Sequence, residues 1–555
     1  MSKKNILLIF ILGLALFLRI WGLDYGLPYF LINDERTLVY GALKMGELKT
    51  LIPAFNPEEF HVLYYAPLMS YLYLIFLVPF ILIQYFIGSF SNFAEITSYF
   101  TINPGPVWLV ARMVNALMGA AAVYLIYLIG RKMMNHWVGL ISALFLTFSF
   151  LHLQFSHFTR IWGPTLFFVL LIMLLSLYIY KTPKRKYYLW MGIVGGLSFG
   201  TNYIAPAALF IFLMAHFLAG KKSFRERLRD KNLWFTAVTF ILVTTIFIFI
   251  YPQLFTGWTG MGRLGGALSA GRSLTEFIKV FLIYLKISFF YEPIVSVFAL
   301  AGLIFSFFKS RKIFFISLSW PIFWIFITYF ILHGGEISGK PHSHYILMVI
   351  PWFILLASLA VYQLVVRFSL TTRVFMLGLI FIYPLAVALQ YDYLLSQKDT
   401  RILAKEWMED NIPAGTKILS NWGGINPTPT KEAILFQKEL DGGSLRAADK
   451  ALLALADEDY PKPAYDILKL AYIDKEKLLS PEQLNNYRYF LVAFWQEEDL
   501  TIKERSIIGK ARLLKEFKQS QEDVIRDVQG NRFMQPVSVL FFLERFGPTV
   551  RIYQL

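Results

Sequence analysis

The chain has 555 residues, 57% of them hydrophobic and 17% aromatic but only 16% charged, and its mean hydropathy is +0.53. Soluble domains carry roughly 45–50% apolar and about 25% charged residues, so an extended soluble fold is excluded and a polytopic α-helical membrane protein is expected. The formal charge of +16 would suggest nucleic acid in a soluble protein, but from Lys398 onward 24 acidic and 23 basic residues nearly cancel. The excess base therefore sits in short loops between apolar segments, where it reads as topology rather than as a polyanion site, and no nucleic-acid partner is expected. Cysteine is absent, which rules out disulfides, a thiolate nucleophile and zinc–thiolate sites and leans towards a prokaryotic source.

Lys3-Lys4 and the apolar run after them resemble a signal peptide, but no small-residue cleavage site follows, and an uncleaved first helix is expected. Spans are placed near 5–22, 107–130, 137–154, 164–180, 188–202, 204–219, 233–251, 293–308, 313–332, 345–366 and 373–394, about eleven in all. The first outer loop, 23–106, carries juxtamembrane helices. Its apolar stretch 64–87 is read as a juxtamembrane or re-entrant, non-crossing pair on the bookkeeping of positive charge, and Pro67 and Pro79 within it also fit a broken helix. With that stretch out of the count, every basic cluster falls on one side: Lys3-Lys4, Arg131-Lys132, "KTPKRK" (181–186), "GKKSFRERLRDK" (220–231), "KSRK" (309–312) and Arg367 to Arg373. The division expected is a membrane domain, 1–395, followed by a soluble extracytoplasmic domain, 396–555. "RILAKEWMEDNI" (401–412) reads as an amphipathic helix ended by Pro413, while "YRYFLVAFW" (487–495) and "PVSVLFFLERFGPTVRIYQL" (536–555) read as strands. A mixed α/β domain is expected there. The helix-forming "AADKALLALADEDY" (447–460) leaves a helical cap as the alternative.

The outer side collects the ionisable groups, which are costly near lipid and mark function when they persist there. In "YFLINDERTLVYGAL" (29–43), Asp34 and Glu35 stand side by side. One carboxylate can serve as general base towards an acceptor hydroxyl while its neighbour pairs with a cation. The alternative is a solvated loop in which Asp34 caps a helix starting at Glu35. Arg112, one turn into the second span, either snorkels to the interface or pairs with Glu35. "FSHFTRIWG" (155–163) brings His157 and Arg160, and "HGGEISGKPHSHY" (333–345) brings Glu336, Lys340, His342 and His344. Lysine and histidine suit a phosphate, whereas the i, i+2 spacing of His342 and His344 is weak evidence for a metal. The Gly-rich 256–273, with Arg263 and Arg272, follows no strand and is read as an interfacial linker or a gating loop.

The order of these motifs carries a resemblance: "LFLRIWGL" closing the first span, "DER" in the first outer loop, "YYAPLMSYLY" (64–73), "ARMVNALMGAAAVYLIYLIGRKMM" (111–134), "GGLSFGTNYIAPAAL" (195–209), "HSHYILMVIPWFILLAS" (342–358) and the closing "GPTVRIYQL". Together they resemble the GT-C superfamily of membrane glycosyltransferases, in the branch of protein O-mannosyltransferases and the lipid A aminoarabinose transferase. The resemblance implies inverting transfer from a polyprenyl-phosphate sugar to a protein, lipid or glycan acceptor. It implies Asp34 as the base or acceptor-orienting acid, Glu35 as its neighbour and Arg112 as the arginine of the next span. Taken with the residues themselves, the expected site has Asp34 and Glu35 as catalytic carboxylates and Arg112, Arg160, His157, Lys340, His342, His344 and Glu336 as the substrate- and phosphate-binding set. Two departures stand out. Trp162 occupies the place of an acid common in the second outer loop, and Asn202 that of a basic residue. With few outer carboxylates left, a divalent metal stays open but is not favoured, and no other cofactor is expected. The alternatives carried are a lipid or glycan transporter, which lacks the expected inverted repeat, and an inactive GT-C-like binding subunit.

Overall fold

The computed structural model describes residues 3–555 apart from 62, 89, 221, 252–253, 255–272, 310, 333–341, 422–424, 426, 442–444, 446, 473–485, 523 and 529–534. The helical part begins with α1 (Lys3–Ile20), α2 (Arg36–Glu47), α3 (Leu68–Ile87), α4 (Phe93–Ile102) and α5 (Gly105–Met133). It continues through α6 (His136–Phe148), α7 (Phe150–Ser156), α8 (Trp162–Lys181), α9 (Arg185–Thr201), α10 (Leu209–Leu218), α11 (Phe224–Leu228) and α12 (Lys231–Ile250). It ends with α13 (Leu274–Tyr291), α14 (Pro293–Lys309), α15 (Arg311–Leu332), α16 (Ile350–Val365) and α17 (Leu370–Leu395). Among the described residues five helices are long and apolar enough to cross a membrane: α3, α5, α8, α12 and the one starting at Leu370. A sixth appears if α6 and α7, bent by 61° at their break, count as one, and shorter apolar helices fill the remaining places. The chain is an integral membrane protein on this evidence of length and hydropathy.

The helix starts follow local chemistry. Asn135 accepts from the amides of Trp137 and Val138 to open α6, Asp230 opens α12, and Ser369 opens α17. The glycines of α9 let α12 approach closely: a Cβ on Gly192 would lie 2.6 Å from Thr239 Cβ, and one on Gly196 2.5 Å from Val243 Cβ. The break between α6 and α7 falls at Ser149, whose hydroxyl donates to Glu292 Oε1 (2.6 Å) while the Leu151 amide donates to the same oxygen (3.0 Å). A buried carboxylate thus takes up donors that the bend has released from the helix ladder.

Two expectations for the first outer loop are corrected. Residues 68–87 form one unbroken helix in which Pro79 is accommodated and Pro67 stands at the start, which corrects the expected break. Helix α3 has the length and hydropathy of a crossing segment, yet the turn after α1 meets Arg112 of α5, so the loop 23–106 begins and ends at the same end of the bundle. The exposed face of α3 carries Ile75, Phe76, Val78, Leu82, Ile83, Phe86 and Ile87 and is wholly apolar. Asp34 does not cap α2 either. The capping position is Glu35, with no side-chain bond to the helix, and Asp34 adopts the left-handed conformation at φ +63°. That conformation is unfavourable for an L-residue, although Asp is among those that tolerate it.

Beyond α17, α18 (Thr400–Asn411) leads into a six-stranded sheet of β1 (Lys417–Ser420), β2 (Thr428–Pro429), β3 (Ala464–Lys469), β4 (Tyr489–Phe494), β5 (Arg512–Phe517) and β6 (Thr549–Gln554), in the order β2-β3-β1-β4-β6-β5. The first four positions in that order pair in parallel, and β6 is antiparallel to both neighbours. Helices α19 (Lys431–Leu440), α20 (Ala447–Ala454) and α21 (Ile502–Ile508) accompany it. The mixed α/β reading holds over the helical-cap alternative, because the β-branched and aromatic run at 489–494 is buried at the sheet centre. The last segment does not stay within the sheet: Val528, Val537, Leu540, Leu543 and Phe546 belong to the same apolar core as the membrane helices.

Where α14 meets α16, Gly302 lies against the Leu356 carbonyl oxygen, whereas a Cβ on Gly378 in α17 would meet open space. Gly302→Ala is expected to cost about 1–3 kcal/mol through forced backbone movement. Gly378→Ala should be neutral or stabilising by up to about 1 kcal/mol. Thermal unfolding in detergent distinguishes the two, and equal effects would contradict this helix contact.

Candidate active site

The site is assembled around α5. Its residues Arg112, Asn115 and Gly119 share one face at i, i+3 and i+7, and each meets a different part of the same end of the bundle. Arg112 donates from Nε to Glu35 Oε1 (2.6 Å) and from Nη2 to Glu35 Oε2 (2.7 Å), while Nη1 donates to the carbonyls of Leu23 (2.6 Å) and Tyr25 (2.9 Å). Neither side chain of the pair has accessible surface. Glu35 Oε1 also accepts from the Thr159 amide (3.2 Å), and the Thr159 hydroxyl donates to the Glu35 carbonyl (2.9 Å). Asn115 donates to the carbonyls of Phe158 and Arg160 and accepts from the Tyr73 hydroxyl (2.8 Å) on α3. Gly119 leaves room for Ser156, whose Oγ would be 2.6 Å from an added Cβ.

Of the adjacent pair, this scaffold leaves Asp34 as the carboxylate that reaches the surface. It is half-buried, with Oδ1 accepting from the Tyr64 hydroxyl (2.9 Å) and Oδ2 from the Tyr65 hydroxyl (3.2 Å) and from Arg160 Nη2 (3.3 Å). Burial, with the adjacent Asp34 charge as a second cause, pushes the Tyr64 hydroxyl up to about 12 and raises that of Tyr65. Both phenols therefore act as donors, which orients the carboxylate. The Tyr64 carbonyl is in turn held by the hydroxyl of Tyr251 at the end of α12. Arg160 is buried, with its guanidinium 5.7 Å from the Phe155 ring.

A second wall forms where the turn Ser343–Met348 meets the start of α8. Trp324 and Trp320 of α15 donate to the carbonyls of Tyr345 (2.8 Å) and Met348 (3.0 Å) and so fix the turn. The His344 ring stacks on Trp162 at 4.1 Å, with His342 stacked behind it at 5.1 Å, and Phe155 meets His344 edge-on. Asn202 caps α9 and donates to the Thr165 hydroxyl (3.4 Å).

The expected site residues thus divide. Asp34 and Arg160 come together, and His344 lies beside Phe155, the ring that Arg160 faces. Glu35, expected to share the chemistry, has both oxygens committed to Arg112 and no exposure. Arg112, expected to meet phosphate, has its donors spent on Glu35 and two carbonyls in a sealed environment, which corrects that reading in favour of the pairing with Glu35. His157 is also corrected: it is fully buried, with Nδ1 2.8 Å from the Leu153 carbonyl and Nε2 3.2 Å from that of Trp21, so it ties α7 to the end of α1. Glu336 and Lys340, like Arg263 and Arg272, lie outside the described residues. Among the described residues no three His, Asp or Glu side chains gather as a metal site. The groups on Asp34, two phenols and a guanidinium, are donors rather than the oxygen ligands a hard cation requires. Tyr64, Tyr65, Asn115 and Thr159 were not singled out from sequence. The polar Asn115 one turn from Arg112 in an apolar span was the available signal; the tyrosines were masked by the abundance of aromatic residues.

Residues 96–251 match the family model of dolichyl-phosphate-mannose-protein mannosyltransferases. The segment runs from α4 to the end of α12 and contains Arg112, Asn115, Arg160 and Trp162, so the likeness to membrane glycosyltransferases of the O-mannosyltransferase kind resides in this part of the sequence. No curated protein matches the chain at a significant level. Among solved structures, the Archaeoglobus fulgidus oligosaccharyltransferase is similar at 15% identity over 87% of this chain and 68% of that one, with a TM-score of 0.42. ArnT from Cupriavidus metallidurans is similar at 14% identity over 73% and 72%, also with a TM-score of 0.42. The arabinofuranosyltransferase AftD from Mycobacteria is similar at 12% identity over 83% and 36%, with a TM-score of 0.31. Likenesses of this size do not transfer residue roles or activities to this chain.

Removing one member of the Glu35–Arg112 pair strands a buried charge, so Arg112→Ala is expected to cost about 3–5 kcal/mol. The double variant Arg112→Met with Glu35→Leu should recover part of that loss, because no charge is then left unanswered. Thermal unfolding of the two proteins in detergent is the check, and a double variant no more stable than Arg112→Ala speaks against a sealed ion pair.

Proposed function

We propose that the chain is an inverting glycosyltransferase of the GT-C kind, moving a sugar from a polyprenyl-phosphate donor to an acceptor hydroxyl at the extracytoplasmic face of a prokaryotic membrane. The observation that carries this reading is the Asp34 carboxylate, accessible at one end of the bundle, aimed by two phenols and flanked by the Arg160 guanidinium at 3.3 Å. The family match over 96–251 supports the same chemistry. In the reaction the acceptor oxygen attacks the anomeric carbon, the bond from that carbon to the phosphate oxygen breaks, and the phosphate leaves with the electron pair. Asp34 takes the acceptor's proton. Negative charge develops on the departing phosphate, where a fixed cation stabilises the transition state more than the ground state. Arg160, beside Asp34, is our candidate for that cation, with His344 and His342 as further candidates; Lys340, a candidate from the sequence, lies outside the described residues. Glu35 and Arg112 act as positioning residues in this reading.

Extracytoplasmic orientation is part of the proposal. The Tyr25–Asp399 hydrogen bond puts the C-terminal sheet at the Asp34 end, and Arg131, Lys132 and Lys181 lie at the far ends of α5 and α8, as the positive-inside bias requires. One observation favours an inactive binding subunit as the second reading: Trp162, standing where the resemblance implies an acid, is covered by the His344 ring.

Purified protein is expected to release the lipid phosphate from at least one member of a panel of polyprenyl-phosphate sugars. Asp34→Asn should lower turnover by about 10²- to 10⁴-fold while lipid-phosphate binding persists. Turnover unchanged in Asp34→Asn moves the base elsewhere, and tight lipid binding without turnover in the wild type selects the binding subunit.

A further inference from the structure

We infer that the C-terminal sheet region is a positioning part of the candidate active site, acting through two docking contacts that end on the site's two halves. The inference rests on the glycosyltransferase reading for its kinetic consequence but not for its structural one.

The first contact ends on the Asp34 half. Asp399, fully buried at the start of α18, is held by Arg401 through two bonds of 2.8 Å and accepts the Tyr25 hydroxyl at 2.5 Å. The Tyr25 ring packs edge-on against Phe546 and tilts towards Phe158. Its carbonyl accepts from Arg112 Nη1, and the same guanidinium grips Glu35, the neighbour of Asp34. A buried carboxylate needs every acceptor answered, so Asp399 fixes where Tyr25 stands, and Tyr25 in turn fixes one of the four bonds that orient Arg112.

The second contact ends on the Arg160 half. Arg526, fully buried, lays its guanidinium 4.9 Å from the Phe150 ring and 4.6 Å from that of Tyr291, at the bend where α7 departs from α6. Two residues on, the Val528 carbonyl accepts from Gln154 Nε2 of α7 at 3.0 Å. Helix α7 is seven residues long and runs directly into the loop that carries Thr159 and Arg160. So short a helix has little stability of its own, and its direction depends on what packs against it. The two contacts thus set the relative placement of Asp34 and Arg160 from outside the helical bundle. Acceptor recognition alone would not require either of them.

The test uses full-length protein carrying Tyr25→Phe, which removes one hydroxyl and keeps the ring, and separately Arg526→Ala and Arg526→Lys. Hydrogen–deuterium exchange at residues 158–161, where the Thr159 amide donates to Glu35, is expected to rise in Tyr25→Phe and Arg526→Ala and to stay near wild type in Arg526→Lys. With an active donor, kcat should fall by about 10- to 100-fold in the first two, with KM for the donor within about twofold of wild type, and Arg526→Lys should restore most of the rate. Unchanged exchange and kcat in folded Tyr25→Phe and Arg526→Ala overturn the inference, as does a loss that Arg526→Lys does not relieve. If the wild-type protein turns over no donor, the glycosyltransferase reading fails on its own and the exchange measurement alone decides the coupling.

Discussion

A carboxylate sealed among apolar helices at the edge of a membrane persists only when its charge is answered in full, and the pairing of Glu35 with Arg112 is the interaction from which the rest of this site follows. The planar guanidinium meets both carboxylate oxygens and still has donors for the carbonyls of Leu23 and Tyr25. A lysine could supply the charge but not this fork. One side chain of α5 thereby ties together the turn after α1, the start of α2 and, through Thr159, the loop after α7. The turn after α1 and the loop after α7 belong to no helix, and the carbonyls of Leu23 and Tyr25 would otherwise lack the donors Arg112 supplies.

The neighbouring carboxylate takes its character from that constraint. With Glu35 drawn inward, Asp34 turns the other way, in a left-handed conformation, towards two phenols and Arg160. Adjacent residues of one chemical type so acquire opposite environments, one dry and committed, the other accessible. Asn115 extends the same logic along the loop after α7 by holding the carbonyls of Phe158 and Arg160 on either side of Thr159. The bend at Ser149, stabilised by Glu292, then aims α7 at the site. Glu35, Arg112, Thr159 and Asn115 form one scaffold at this end of the bundle, with the candidate base at its surface.

Much of this could be read from the residues. Hydropathy identified the membrane helices, the 401–412 periodicity marked α18, and the β-branched run near 490 marked a central strand. The possibility that Arg112 pairs with Glu35 was legible because a cation and an acid lay at the same expected depth. Other readings failed for physical reasons that are local in form and tertiary in origin. Pro79 looked like a breaker, yet α3 runs through it. Asp34 had the composition of a helix cap, but its side chain was claimed by Tyr64, Tyr65 and Arg160. His157 looked like an outer-loop ligand, and packing turned it inward onto two carbonyls. The tyrosines on Asp34 carried no sequence signal among so many aromatic residues.

By itself the sequence determined the class of molecule, the positions of most helices and the strands near 490 and 550, because these depend on composition and on periodicity within a few residues. Which of those groups meet was decided by tertiary structure alone. Glu35 and Arg112 are 77 positions apart, Asp34 and Arg160 are 126 apart, and Tyr25 and Asp399 are 374 apart. No local rule distinguishes a buried, fully bonded carboxylate from an accessible one at the next position. That distinction arises only when long-range packing settles which donors each can reach and which charge must be removed from water.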